Sequence, residues 1–215
     1  MTDINKFTKK ELLEKCKEHN IQKCSSKNKP QLIELLSNFI VAEPEKPVVV
    51  PPMPENAKFK FIDLFCGIGG FHQALNRLGG HCVFASDIDQ HCRNTYEKNY
   101  GLKPHGDITK VDPKSIPDFD ILTGGFPCQS FSNSGKKGGF GDKRGQLYEN
   151  ILEIAAEKKP SYMFLENVKH IKKIDNGEVF KHILKRIGET GYHAETFELS
   201  PHQLGVPQQR ERVIF

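Results

Sequence analysis

The stretch Lys58–Gly80 limits the possible folds of this chain more than any other. KFKFIDLF alternates and then runs apolar, as a strand entering a buried sheet does. Cys66-Gly67-Ile68-Gly69-Gly70 follows. FHQALNRLGG then continues with helical spacing and closes on a glycine pair. Strand, glycine-rich turn and helix N-terminus form the opening of a nucleotide-binding βα unit. HCVFASDID supplies the next strand. Its Asp87 falls about 20 residues after Gly67, where an acidic side chain can accept hydrogen bonds from ribose hydroxyls. The turn reads GxGG, not GxGxxG. That spacing argues against a dinucleotide pyrophosphate and for a small adenosyl ligand. Close packing of a turn on its helix would also explain the glycines taken alone.

A second constraint lies at Asp120–Ser134, DILTGGFPCQSFSNS. Phe119, Ile121 and Leu122 predict a short buried strand that stops at Gly124-Gly125. The chain then turns through Phe126-Pro127-Cys128-Gln129, with Pro127 fixing φ. A thiol is thereby placed on a loop at the mouth of a strand, where reactive side chains tend to sit. The next segment, SFSNSGKKGGFGDKRGQLYENI, is long for a connection within a compact domain. Lys136, Lys137, Lys143 and Arg144 are positioned for phosphate contacts, and Gly138-Gly139 would let the loop swing.

Downstream, RGQLYENILEIAAEKKP predicts an amphipathic helix ending at Pro160. SYMFLENV predicts a strand with Glu166-Asn167 at its end, the edge where α/β folds place chemistry. Residues 176–189 predict another helix and HAETFELS another strand. In GVPQQRERVIF, Arg210 and Arg212 alternate. On a strand they would share one face, and two guanidiniums can hold an anion or a carbonyl.

Net charge is +4 over 215 residues, of which residues 1–60 carry +3 from 11 Lys and 8 acidic residues. The larger part is therefore no polycation, and phosphate contacts must come from local clusters. Six cysteines, none in a CxxC pair, and no zinc-like His spacing imply free thiols in a reducing compartment and no metal. Neither a signal peptide nor a run long enough to cross a bilayer is visible.

Residues 6–19 and 29–40 predict two amphipathic helices. The first carries a Thr8–Glu11 capping box, and Pro30 lies in the first turn of the second. The pair resembles a SAP-type DNA-binding module, with Asn20 and Ser25 or Ser26 where that family usually has glycines. A helical hairpin for protein contacts fits the pattern equally. Residues 41–55 hold five prolines and predict a semi-rigid linker. The expected organisation is a helical module at 1–40, a linker at 41–56 and a main domain at 57–215.

Six motifs of that main domain resemble, in order, those of the cytosine-5 DNA methyltransferases: DLFCGIGG, the acidic strand end at Asp87, GDI, GGFPCQSFS, ENV and QRER. The resemblance implies a Rossmann-like, S-adenosylmethionine-dependent methyltransferase fold of α/β class, truncated at the C-terminus. It implies S-adenosylmethionine at Phe65, Gly67, Gly69, Gly70, Asp87, Ile88, Asp107, Ile108 and Pro127. Phe65 would pack by the adenine, Ile88 against the base, and Asp107 at the adenine amino group. Cys128 would be the nucleophile and Glu166 would hold and protonate the pyrimidine. Arg212 would bind O2, and Arg210 would position Cys128 and its neighbours. The implied partner is double-stranded DNA with a flipped-out cytosine, in an intracellular setting.

The family usually continues beyond QRER with a target-recognition part, here expected from a second subunit or a C-terminal fragment. Two rivals stay open: a non-catalytic DNA-binding protein with a vestigial cofactor pocket, and a tRNA cytosine-5 methyltransferase. Phe126 favours DNA, because the tRNA branch typically has Pro there.

Overall fold

In the computed structural model, residues 7–18, 24–40, 53–127 and 147–215 are described. They fall into two compact units, 1–47 and 48–215.

The first unit pairs α1 (Lys9–Glu18) with α2 (Lys29–Ile40). Leu12, Cys16, Cys24, Leu32 and Leu36 form its buried core. Thr8 and Glu11 cap α1 reciprocally. The Thr8 amide donates to Glu11 Oε2 at 2.7 Å and the Glu11 amide to Thr8 Oγ1 at 3.4 Å. That amide from Thr8, followed by the Thr8 hydroxyl, lowers the Glu11 pKa. Asn28 and Gln31 cap α2 in the same way, at 3.0 and 3.1 Å. The second cap uses Asn and Gln rather than Thr and Glu, and its sequence signal is correspondingly weaker.

The second unit is built on one six-stranded sheet in the order β2-β1-β3-β4-β6-β5. Its elements are β1 (Phe59–Leu64), α3 (Gly70–Arg77), β2 (Gly80–Ser86), α4 (Gln90–Tyr100), β3 (Ile121–Gly125), α5 (Leu147–Lys158), β4 (Tyr162–Val168), α6 (Glu178–Glu189), β5 (Phe197–Leu199) and β6 (Arg212–Ile214). The first four strands are parallel. β6 runs antiparallel to β4 and to β5. Side chains alternate along β1, so Ile62 and Leu64 enter one core with Leu122, Ile151, Ile183 and Val213. Phe61 enters the other, with Leu75, Cys82 and Tyr96.

The topology places the site. The chain leaves β1 for β2 on one side and returns to β3 on the other, so its direction reverses between β1 and β3. Ligands of open α/β sheets bind at such a reversal, beyond the carboxyl ends of the strands. There Leu64 pairs with Gly124, which brings the turn at 66–70 beside the loop that begins at Phe126.

Two boundaries differ from expectation. The strand predicted over HAETFELS forms only at Phe197–Leu199, because its partner β6 offers three residues for pairing. β6 begins at Arg212, so Arg210 precedes the strand and does not share a strand face with it. No amphipathic pattern marks α4. It is held at its ends instead: Asp89 accepts from the His91 and Cys92 amides, and Gly101 closes it in the left-handed region at φ 72°.

Candidate active site

Every described motif converges on one edge of the sheet. The carboxyl ends of β1 to β4 lie there because the strands are parallel. Arg212 joins them because β6 is antiparallel and pairs Arg212 with Val168.

The glycine turn is built from unusual backbone. Phe65 has φ 55°, Gly67 54° and Gly69 96°. A bulky residue in the left-handed region is strained, and such strain clusters at ligand clamps. A methyl group added at Gly67 or Gly70 would meet nothing within 4 Å, whereas one at Gly69 would overlap the Tyr100 ring. The turn is thus open above and filled below. The Gly67 amide donates to Asp87 Oδ2 at 2.8 Å, and the Asp89 amide donates to Oδ1 at 2.8 Å. Asp87 therefore ties the end of β2 to the turn and keeps further lone pairs for hydroxyl donors. Ile68 and Ile88 flank this bond and are 63% and 76% exposed. Two bare aliphatic side chains beside an acidic group suit a flat heterocycle with a ribose.

His105 bridges to Ser86 beside the end of β2, which brings GDI to the same edge. Asp107 accepts there from the Thr109 amide at 3.1 Å and the Thr109 hydroxyl at 2.8 Å, both on Oδ1. The Ile108 side chain is buried in the main core, and Pro127 is exposed at the loop mouth. Phe65 is half-buried against the main core.

On the other side of the cleft, Gly125 pairs with Glu166. A methyl group at Gly125 would sit 3.1 Å from Glu166 Oε2, so the missing side chain gives the carboxylate its room. Glu166 Oε1 meets Arg212 Nε at 2.5 Å, with the side chains 28% and 18% exposed. Arg212 also donates to the Glu211 carbonyl at 2.8 Å. The motif's middle residue is structural. Asn167 is buried and donates through Nδ2 to the Phe126 carbonyl at 2.9 Å, while its Oδ1 accepts from the Val168 amide at 2.8 Å. It fixes the start of the Cys128 loop against β4. Asn167→Ala removes both bonds and leaves the Phe126 carbonyl unpaired. The expected cost is about 2 kcal/mol in urea unfolding, against little change for a surface Asn such as Asn94.

The structure thus brings together Phe65, Gly67, Gly69, Gly70, Asp87, Ile88 and Asp107 on the β1–β2 side of the sheet edge and Glu166 with Arg212 on its β4–β6 side. Arg210 is exposed; its amide donates to Ser200 Oγ at 3.1 Å, and its side chain lines a small hollow with Arg212, Leu204 and Val206. Cys128 and the basic residues Lys136, Lys137, Lys143 and Arg144 lie outside the described residues.

Residues 59–215 match the model of the C-5 cytosine-specific DNA methylase family. The chain belongs to that family. Among curated members, it is 50% identical over 165 residues to the type II methyltransferase M1.ScrFI of Lactococcus lactis subsp. cremoris, covering 74% of this chain and 41% of that protein. It is 47% identical over 154 residues to M.HhaI of Haemophilus parahaemolyticus, covering 72% and 47%. The chain therefore spans less than half the length of these two type II methyltransferases. Among solved structures, the Schizosaccharomyces pombe Dnmt2 methyltransferase superposes with a TM-score of 0.60 at 30% identity, covering 73% of this chain and 50% of that one. A C-5 methylase fold thus holds both the glycine turn and the Glu166–Arg212 pair on one sheet edge.

Proposed function

We propose that this C-5 methylase chain carries the catalytic part of an enzyme that methylates C5 of cytosine in DNA. The observation that carries the reading is the shared sheet edge: an open glycine turn tied to Asp87 follows β1, a carboxylate–guanidinium pair closes β4 and β6, and Phe126-Pro127, which lead in sequence to Cys128, follow β3 between them. The open faces of Gly67 and Gly70, and the bare Ile68 and Ile88, fit an adenosyl group with Asp87 at its ribose and Asp107 near its base. S-adenosylmethionine supplies there an electrophilic methyl group.

The chain's own residues activate the other reactant. Cytosine C5 is a poor nucleophile. The Cys128 thiolate adds to C6, and electron density moves to C5. Glu166, held by Arg212, accepts from the exocyclic amine and, after taking up the proton released by the Cys128 thiol, passes it to N3. Arg212 donates to O2 as charge develops there, and Arg210 orients the thiol. C5 takes the methyl carbon. Loss of the C5 proton and departure of Cys128 then restore the aromatic ring. C6 is shielded in stacked DNA, so the base must leave the duplex, with Lys136, Lys137, Lys143 and Arg144 on the backbone.

The length of the relatives supports a target-reading part supplied by further sequence or a second polypeptide. Phe126 supports DNA over tRNA. The reading is tested by tritium transfer from labelled S-adenosylmethionine to DNA and to tRNA, with the chain alone and with a candidate complementing polypeptide. Label in DNA is expected. Label confined to tRNA, or none in either with cofactor bound, overturns it. In an active preparation, Glu166→Gln should lower turnover about 10²- to 10⁴-fold while leaving cofactor affinity within about twofold. Equal turnover would remove Glu166 from the proton step.

A further inference from the structure

Helix α4 carries none of the sequence motifs, yet one stripe of it reaches both the glycine turn and the Asp87–Ile88 backbone. Arg93, Tyr96 and Tyr100 stand at i, i+3 and i+7, so they share a face. At the start of the stripe, Arg93 Nη1 donates to the carbonyls of Asp87 and Ile88 at 2.6 and 2.8 Å. Its Nη2 is held by Gln90 Oε1 at 2.5 Å. At the end, the Tyr100 hydroxyl donates to the Gly69 carbonyl at 2.9 Å. The Tyr100 ring occupies the space where a side chain at position 69 would be.

The middle of the stripe locks the rest. The Tyr96 hydroxyl lies 2.6 Å from His72 Nδ1, and the His72 ring stacks on Tyr100 at 3.8 Å between centroids, 16° from parallel. His72 is buried, and desolvation, with His81 nearby, lowers its pKa to about 4. The imidazole is therefore neutral at pH 7 and packs as a flat ring.

On the reading that this cleft binds S-adenosylmethionine, we infer that Arg93 and Tyr100 are positioning residues for the cofactor. Tyr100 sets the height of the glycine turn through the Gly69 carbonyl. Arg93 fixes the backbone that presents Asp87 and Ile88. Neither needs to touch the ligand: each holds a peptide whose neighbour does. The glycine turn is strained at Phe65 and its two left-handed glycines leave the backbone free to move, so its shape depends on such outside support.

The test uses the full chain and two readouts. The first is affinity for S-adenosylhomocysteine by calorimetry. The second is amide exchange across residues 65–70 and 86–89. Tyr100→Phe keeps the ring and removes the hydroxyl. It should weaken binding about three- to tenfold and speed exchange at 65–70 by a similar factor, with the rest of the sheet unchanged. Arg93→Met should weaken binding to a like degree and speed exchange at 86–89 only.

Asp87→Ala is the control for the cleft itself. If Asp87→Ala abolishes binding while Tyr100→Phe and Arg93→Met bind and exchange like the parent, the positioning role is overturned and the cofactor site stands. If either variant speeds exchange equally throughout the unit, it only stabilises the fold, and the role is likewise overturned. If Asp87→Ala binds as tightly as the parent, the cofactor reading falls, and this inference with it.

Discussion

Cys128→Ser should abolish covalent capture of the protein on DNA carrying 5-fluorocytosine, by a factor of at least about a thousand, with DNA binding retained. Fluorine at C5 cannot leave as a proton does, so the adduct formed after methyl transfer persists. A serine hydroxyl at neutral pH is too poor a nucleophile to start it. The thiols among the described residues cannot substitute. Cys16, Cys24, Cys66 and Cys82 are buried. Burial, then contact with Cys24, pushes the Cys16 thiol up to about 11. Burial pushes Cys82 up to about 12. Cys66 rises further still, by burial and then by the nearby charges of Asp63 and Asp87. Cys92, half-buried, is raised by burial and by Asp87 and Asp89. Cys16, Cys66, Cys82 and Cys92 hold their protons in these settings and do not attack, and Cys24 is buried in the core of the helical unit. Capture is read as a band shifted on a denaturing gel, with S-adenosylmethionine present. A serine variant captured as well as the parent would move the nucleophile elsewhere.

The second large effect concerns Asp63, inside β1. Its side chain is fully buried, its Oδ2 has no hydrogen-bond partner among the described residues, and its Oδ1 lies 3.1 Å from Thr123 Oγ1. The Thr123 hydroxyl has one proton and sits 2.9 Å from the Ile62 carbonyl. It cannot donate to both oxygens at once. A protonated Asp63 resolves the conflict by donating to Thr123, which then donates to Ile62. Burial pushes the Asp63 pKa up to about 7, with the Asp87 charge adding to the rise. Thr123, the His72 amide and the Tyr96 hydroxyl temper it.

The sign follows from the neutral form being the one the fold prefers. Below the unfolded value near 4, Asp63 is protonated in both states and costs nothing. As pH rises from about 4 to 7 the unfolded chain releases a proton that the folded chain retains, and stability falls. Above about 7 the loss is complete, at about 4 kcal/mol. Asp63→Asn should therefore gain on the parent through that window and hold a constant advantage above it. The difference between the two proteins in denaturant unfolding from pH 5 to 8 separates this effect from His72, whose depressed pKa costs stability in both proteins alike as pH falls from about 6.5 to about 4. Parallel curves would show that Asp63 is charged in the folded protein.

Much of the fold is legible because it rests on local patterns. β1, the glycine turn, α3, β3, α5, β4 and α6 each carry their own apolar period or stop signal. The Thr8–Glu11 cap is legible for the same reason. α4 is not, because its apolar contacts rest on two residues, Tyr96 and Tyr100, and its ends are set by single residues. β5 reads longer than it is, because the length of a strand is decided by its partner. Of the site, Asp87, Glu166 and Arg212 are visible as strand-end residues. The support beneath them is not. His72 lies 24 positions from Tyr96 and Tyr100 lies 31 from Gly69, and only the βαβ path brings each pair into contact. Asp63 reads as one polar position in an apolar run. Asn167 reads as part of a motif, and only the geometry shows that it braces the loop rather than the substrate.

The bond between Glu166 and Arg212 has one more consequence. The carboxylate is already neutralised before any base arrives, so the pocket exerts little long-range pull on free nucleotides, amines or metal cations. Recognition at this spot is then short-ranged, decided by the shape and hydrogen-bonding edge of a ring delivered to it. Raising the ionic strength should slow the arrival of DNA while hardly affecting how tightly the delivered ring is held.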